Sequence, residues 1–211
     1  MKEYPKIETL LERDERTHLV IEGKWRTEEF AYLSTNSWLF TEKVDGTNIR
    51  IMWDGATVRF GGKTDAAQIY QGLLARLQDL FPASRFESLS LPPLCLYGEG
   101  YGARVQKGGG LYKSDGTDFV LFDVLIDGWW LERRNIEDVG TKLEIGVVPI
   151  VGGGSLQKAV DLVQAGVDST WGAFRAEGFV VRPAVDLYTR KGDRIIGKIK
   201  TRDFAPEGRA H

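Results

Sequence analysis

The sequence predicts an α+β fold made mainly of antiparallel strands, with a few helices set among them. Three observations carry this. Apolar and aromatic segments of strand length recur along the chain, among them Trp38–Phe40, Ile49–Trp53, Leu94–Tyr97 and Phe119–Leu125. The 25 glycines and six tryptophans imply a β-rich body with many tight turns. Helical periodicity is clear in only two stretches, and strands do not alternate strictly with helices, which argues against a doubly wound parallel sheet. No repeat, linker or low-complexity tract divides the 211 residues, so a single domain is expected.

Residues 1–37 are mixed in character and are read as an N-terminal extension packed on the body. Asp14-Glu15-Arg16 and Glu22-Gly23-Lys24 are predicted surface turns, and Thr27 is placed to cap a short helix through Glu28, Phe30 and Leu33. Trp38-Leu39-Phe40 reads as a strand leading through a polar turn, Lys43 to Asn48, into a second strand, Ile49–Trp53. The whole is read as a hairpin pattern, continued by an Asp54-Gly55 turn into Thr57–Phe60. From Ala66 to Phe81 the spacing of Ile69, Leu73, Leu77 and Leu80 predicts a helix, stopped by Pro82. A Ser/Pro-containing connector follows. Leu94–Tyr97 and Phe119–Leu125 are predicted buried strands, separated by a glycine-rich loop from Gly98 to Gly116. A second helix is expected to begin at Ser155, pass through Leu156, Val160 and Val163, and end at Gly166. Gly178–Arg182 and Arg194–Lys200 close the chain as strands.

Composition excludes several chemistries. The formal net charge of −2 rules out a globally basic nucleic-acid binder, so any such contact must come from a local patch. The lone Cys95 excludes an internal disulfide framework and a cysteine zinc site, and it reads as a small core residue. The two histidines, His18 and His211, lie near the ends and supply neither a Ser-His-Asp system nor a histidine metal cluster. No apolar run approaches the length of a membrane span, and a cytoplasmic protein without membrane association is expected.

Charged residues set within or against apolar strands are the distinctive feature. Lys43 lies between two strand-like segments, Glu99 follows Leu-Tyr-Gly, Asp123 follows Val-Leu-Phe, and Glu177 precedes Gly-Phe-Val-Val. Lys198 and Lys200 fall on one face of a strand. Charges in such places are costly unless paired or working, so these groups are expected to converge on one pocket. The lysines suit nucleotide phosphates, Glu177 and Asp123 suit a hydrated Mg²⁺, Glu99 suits a ribose hydroxyl, and Phe122 or Phe119 offers a face for a base. Two apparent phosphate loops fail on their own residues. Gly192 to Lys198 has the Walker spacing, but Ile199 stands where Ser or Thr is required; Gly62-Lys63-Thr64 has Thr57 in place of the first glycine.

Five ordered blocks resemble the covalent nucleotidyltransferases, and most closely the ATP-dependent RNA ligases of the RNA ligase 2 type. They are Lys43-Val-Asp45-Gly-Thr-Asn48, Tyr97-Gly-Glu99 with its glycine-rich continuation, Phe122-Asp123-Val124, Glu177-Gly-Phe-Val180 and Lys198-Ile-Lys200. The resemblance implies an adenylyltransferase domain whose sheets surround a nucleotide pocket. It implies that Lys43 becomes covalently joined to AMP from ATP, with Mg²⁺ or Mn²⁺. AMP then passes to an RNA 5′-phosphate, which is sealed to a 3′-hydroxyl, in nicked duplex or free ends. Asp45 and Asn48 would position the nucleophile and contact phosphate or metal, and Glu99 would bind ribose. Phe122 and Val180 would sandwich adenine. Asp123 and Glu177 would organise metal-bound water, and Lys198 and Lys200 would hold the α-phosphate. Glu42 and Lys63 join the nucleotide-binding set.

Two departures from the family pattern carry expectations. Lys63 stands where an arginine usually contacts the end phosphate, keeping the charge without the bidentate fork. The chain runs only eleven residues beyond Lys200, so neither an OB nor a helical C-terminal domain is expected, and a minimal monomeric ligase with a weak, salt-sensitive grip on RNA follows. The competing readings are a DNA ligase or capping enzyme, which Asn48 disfavours, and a non-catalytic nucleotide- or RNA-end-binding protein.

Overall fold

The computed structural model describes residues 2–204, and His211 lies outside them. The chain forms two compact units. Val44–Val148 makes one, together with the first residues up to Pro5; Lys6–Lys43 and the chain from Pro149 onward make the other. The architecture is α+β with mainly antiparallel sheets, as predicted.

The chain enters the second of these units through β1 (Glu8–Thr9), β2 (Leu11–Arg13), β3 (Val20–Trp25), α1 (Glu28–Tyr32) and β4 (Trp38–Glu42). Thr27 caps α1 by accepting from the Phe30 amide, as its sequence position implied. Glu22-Gly23-Lys24, predicted to turn, lies within β3, which pairs antiparallel with β2.

The first unit then follows without interruption: β5 (Thr47–Trp53), β6 (Val58–Gly61), α2 (Gln71–Leu80), α3 (Ala83–Ser88), β7 (Leu94–Gly102), α4 (Gly109–Tyr112), β8 (Thr117–Ile126), β9 (Trp129–Trp130), α5 (Arg133–Lys142) and β10 (Gly146–Val147). Its sheet has the order β10-β8-β7-β5-β6, with β9 on β8. Ile49, Ile51, Leu94, Leu96, Phe119 and Leu121 pack from one face of this sheet against Leu73 and Leu77 of α2, Phe86 of α3 and Ile136 of α5. The predicted helix at Ala66–Phe81 begins at Gln71, and part of the predicted glycine-rich loop is strand, since β7 runs on to Gly102. The connector after Pro82 contains α3, and α5 has no counterpart in the sequence reading.

The chain returns to the second unit through β11 (Ile150–Gly154), α6 (Leu156–Ala165), β12 (Gly178–Pro183) and β13 (Gly197–Lys200), followed by a 3₁₀ turn at Thr201–Asp203. Ser155 caps α6 through the Lys158 amide, and Gly166 ends it, both as predicted. This sheet has the order β1-β13-β12-β4-β11, antiparallel except for β1 beside β13. Trp38, Phe40, Phe179, Val181 and Ile199 of the sheet pack with Leu10, Phe30 and the buried face of α6.

One predicted pairing is corrected. Trp38–Phe40 and Ile49–Trp53 are not partners: β4 pairs with β11 and β12, while β5 pairs with β6 and β7. The polar turn beginning at Lys43 is a crossing from one sheet to another. The hairpin through Asp54-Gly55 forms as predicted.

Candidate nucleotide and phosphate site

In the unit that carries β4, two strand ends and one buried ion cluster set the geometry. The Lys43 amide donates to the Gly178 carbonyl at 2.9 Å, extending the β4–β12 ladder past Glu42. Gly178 has φ +148°, and a Cβ there would stand 2.1 Å from the Ile199 carbonyl oxygen, so only glycine fits between these strands. Lys43 Nζ donates to Glu177 Oε2 at 2.7 Å, and Lys200 Nζ donates to Glu177 Oε1 at 2.6 Å. The side chains are 21%, 16% and 11% exposed for Lys43, Glu177 and Lys200. Burial opposes ionisation of Glu177, yet the charges and hydrogen bonds of the two lysines hold its carboxyl below the usual range.

Register places Lys198 opposite Val180, which lies opposite Thr41. Because Ile199, Phe179, Val181 and Phe40 fill the core on the other face, Lys198, Val180 and Thr41 form a row on the face away from it. Burial, with the charges of Lys200, Lys43 and Arg13 added, brings the Lys198 ammonium down to about 8. Burial and the Lys43 charge lower Lys200 as well. The Lys200 amide donates to Asp203, and Arg13 bonds the same carboxylate. Two ammonium groups, those of Lys43 and Lys200, thus share the Glu177 carboxylate, with the Lys198 charge acting on both, an arrangement suited to an anion.

Glu42 is placed differently. It faces Phe179 across the β4–β12 ladder, in step with Phe40 and Trp38, and is 2% exposed. Its carboxylate accepts from Ser169 Oγ at 2.6 Å and from the Thr170 amide and hydroxyl, both at 2.8 Å. The resemblance assigns Glu42 to the nucleotide; here its carboxylate serves the 168–175 loop.

In the other unit, Asp45, Asn48, Lys63, Glu99, Phe122 and Asp123 occur together with Tyr4. Gly46 passes so close to β7 that a Cβ would lie 2.3 Å from the Gly100 carbonyl oxygen. A Cβ on Gly108 would lie 2.5 Å from Asp45 Oδ2, so the glycine-rich stretch packs directly on the Asp45 carboxylate. Asn48 pairs with Glu99 across β5 and β7, and its Oδ1 is buried without a hydrogen-bond partner. An orphaned buried acceptor in that position fits a donor supplied by a ligand. Lys63 is exposed.

Phe122 and Asp123 are sequence neighbours that a regular strand would send to opposite faces. The register between β7 and β8 shifts between Tyr97 and Gly98, whose partners are Asp123 and Leu121, so Phe122 is the extra residue of a bulge. Leu121 and Val124 both enter the core, and Phe122 and Asp123 both meet Tyr4. Tyr4 donates to Asp123 Oδ2 at 2.7 Å and sets its ring edge-on to Phe122, while Asp123 is fully buried. Arg50, also fully buried, holds the loop before Lys63 and beyond it through the Gly62 carbonyl and Asp65.

The metal reading needs a donor set. Both Glu177 oxygens are engaged by lysines, Asp123 is fully buried, and among the described residues no group of three or more His, Cys, Asp or Glu could hold a metal ion. The residues therefore do not form a resident metal cage. Among the described residues no helix is long and apolar enough to cross a membrane.

A half-buried lysine held on a carboxylate, with two more lysines close by, makes a cationic cluster at the strand ends. The family model described as RNA ligase matches residues 36–200, and the chain belongs to that family. The chain is similar in structure to a Naegleria gruberi RNA ligase with PPi, at TM-score 0.67 and 18% identity over 96% of this chain and 63% of that one. A mutant of that ligase with ATP and Mn gives TM-score 0.67 at 17% identity, covering 94% and 58%, and a mutant with AMP and Mn gives 0.67 at 16%, covering 95% and 58%. These likenesses show the fold, and the chain spans less than two thirds of the length of those structures. No curated protein matches it.

Proposed function

We propose that this chain is an ATP-dependent RNA ligase acting through covalent AMP on Lys43. The observation that carries the reading is the Lys43–Glu177–Lys200 cluster, a half-buried amine beside cations placed to receive phosphate. The Lys43 amine attacks the α-phosphorus of ATP, the bond from that phosphorus to the bridging oxygen breaks, and pyrophosphate leaves with that oxygen. A Lys43 proton has an acceptor 2.7 Å away on Glu177. An RNA 5′-phosphate oxygen then attacks the same phosphorus, the N–P bond breaks, and Lys43 recovers its proton. In the third step a 3′-hydroxyl attacks the 5′-phosphorus and AMP leaves.

Lys198 and Lys200 neutralise charge on the α-phosphate, and Val180 on the same sheet face supports the base. In the other unit Asn48 offers its orphaned oxygen to a substrate donor, Glu99 takes the ribose, Phe122 stacks, and Lys63 meets the end phosphate. A divalent cation, Mg²⁺ or Mn²⁺, would accompany the nucleotide and supply neutralisation of phosphate charge. The test is incubation with α-labelled ATP and either cation. Wild type is expected to carry label and Lys43→Ala none; a folded wild type without label overturns the proposal. Sealing of RNA and DNA nicks then distinguishes the RNA from the DNA reading.

A further inference from the structure

Glu42 sits next to the nucleophile, yet its side chain lies on the opposite face of the sheet from the Lys198–Val180–Thr41 row. In that direction it meets the loop joining α6 to β12. This loop is a small closed hairpin. Asp168 bridges Arg175, the Ser169 amide donates to the Phe174 carbonyl, and the Ala176 amide donates to the Val167 carbonyl. An Asp168–Arg175 ion pair adds to its base. Glu42 takes three hydrogen bonds from Ser169 and Thr170, and the Trp171 amide in turn donates to Ser169 Oγ.

Both ends of this clamp abut reacting groups. Glu42 immediately precedes Lys43, and the loop leads through buried Ala176 into Glu177. We propose that Glu42 is a positioning residue that holds the 168–175 loop and thereby fixes Lys43 and Glu177 in contact, without itself touching the nucleotide. This deepens the adenylylation reading and rests on it. Misplacing a reacting group by about 1 Å can cost on the order of 100-fold in rate, so the clamp matters for attack more than for nucleotide affinity.

Substitutions on both sides of the clamp, alone and combined, test it. Glu42→Ala removes the acceptor altogether. Ser169→Ala with Thr170→Ala removes both hydroxyl donors and leaves Glu42 intact. Glu42→Gln can still accept from the Thr170 amide and donate to Ser169 Oγ. Glu42→Ala and the Ser169/Thr170 pair are each expected to slow single-turnover labelling of Lys43 by roughly 10- to 100-fold with little change in the ATP concentration at half-maximal rate. The triple variant is expected to be no worse than Glu42→Ala, and Glu42→Gln to recover most of the rate. Deuterium exchange in residues 168–175 should rise in Glu42→Ala, a readout that needs no activity.

A wild-type rate in the Ser169/Thr170 variant beside an impaired Glu42→Ala overturns the proposal. So does a rise in the ATP requirement that Glu42→Gln fails to rescue, which would place the carboxylate on the nucleotide. Unchanged exchange of the loop in Glu42→Ala overturns the clamp whatever the activity. If Glu42→Ala does not fold, the Ser169/Thr170 and Glu42→Gln variants decide. Absence of label in wild type bears on the adenylylation reading alone.

Discussion

Lys198, in the proposed phosphate site, is held at a cost in stability. Burial and three neighbouring cations hold its ammonium at about 8, against an ordinary lysine value of 10.5, while Glu8 pulls weakly the other way. Between about pH 8 and 10.5 the unfolded chain therefore keeps a proton that the folded chain has lost, and this group's contribution to stability rises with pH across that window. Below pH 8 both states are protonated and the destabilisation is complete. A bound phosphate favours the charged form, so the effect on nucleotide binding has the opposite sign: affinity should fall as pH rises through about 8. Lys198→Met is expected to raise stability near pH 7 by on the order of 1 kcal/mol, once solvent screening is allowed for, while weakening ATP binding and flattening its pH dependence above 8. Urea melts and nucleotide titrations at pH 7 and 9 measure both. Lys198 and Lys200 could be chosen from the sequence because two charges flanking Ile199 on a strand must share a face. Glu42 could not be assigned its neighbours that way, since Ser169 and Thr170 lie 127 and 128 residues further along the chain.

At the scale of elements, local signals and long-range pairing separate cleanly. Helix α6 was legible from Ser155 to Gly166 because its cap, apolar face and stop signal all lie within twelve or so residues. Helix α5 was not, because Arg133, Arg134, Glu137, Asp138 and Lys142 dilute a stripe made only of Ile136, Val139 and Leu143. The strand before Lys43 was legible, but its partners were not, since β11 and β12 come more than a hundred residues later. The Phe122 bulge was equally hidden: adjacent residues sharing a face contradict the period of two from which strands are recognised. These differences set contrasting expectations for two substitutions. Ser155→Ala removes a cap remote from Lys43 and should cost about 1 kcal/mol in stability with unchanged labelling. Gly178→Ala must push a methyl into the Ile199 carbonyl, costing roughly 2–4 kcal/mol and displacing the strand that receives the Lys43 amide. Denaturant unfolding with the labelling assay separates the two.

For the whole molecule, the two units each have their own apolar core, one centred on Ile49, Leu96 and Leu121, the other on Phe40, Phe179 and Ile199. The first is almost entirely contiguous in sequence, and only the segment up to Pro5 is contributed from elsewhere. That segment matters locally, since Tyr4 covers Phe122 and Asp123, and the Lys2 carbonyl accepts from Tyr97. A fragment comprising residues 44–148 is expected to fold on its own with a cooperative thermal transition by circular dichroism, below that of the intact chain. It lacks Lys43 and should take no label from ATP. A fragment that remains unfolded would show that its core is insufficient without the rest.

The order of strands has a consequence for the chain as it is made. In the sheet that leads into Lys43, the first described strand lies beside the last described one, Glu8 against Gly197 and Thr9 against Lys198. Lys43 is 134 residues ahead of Glu177, which lies 23 residues ahead of Lys200. A ribosome delivers Lys43 well before its two ionic partners, which follow the whole Val44–Val148 segment. A nascent product that ends before Glu177 thus possesses Lys43 while lacking the carboxylate and the ammonium that hold it, so the proposed labelling of Lys43 requires synthesis past Lys200.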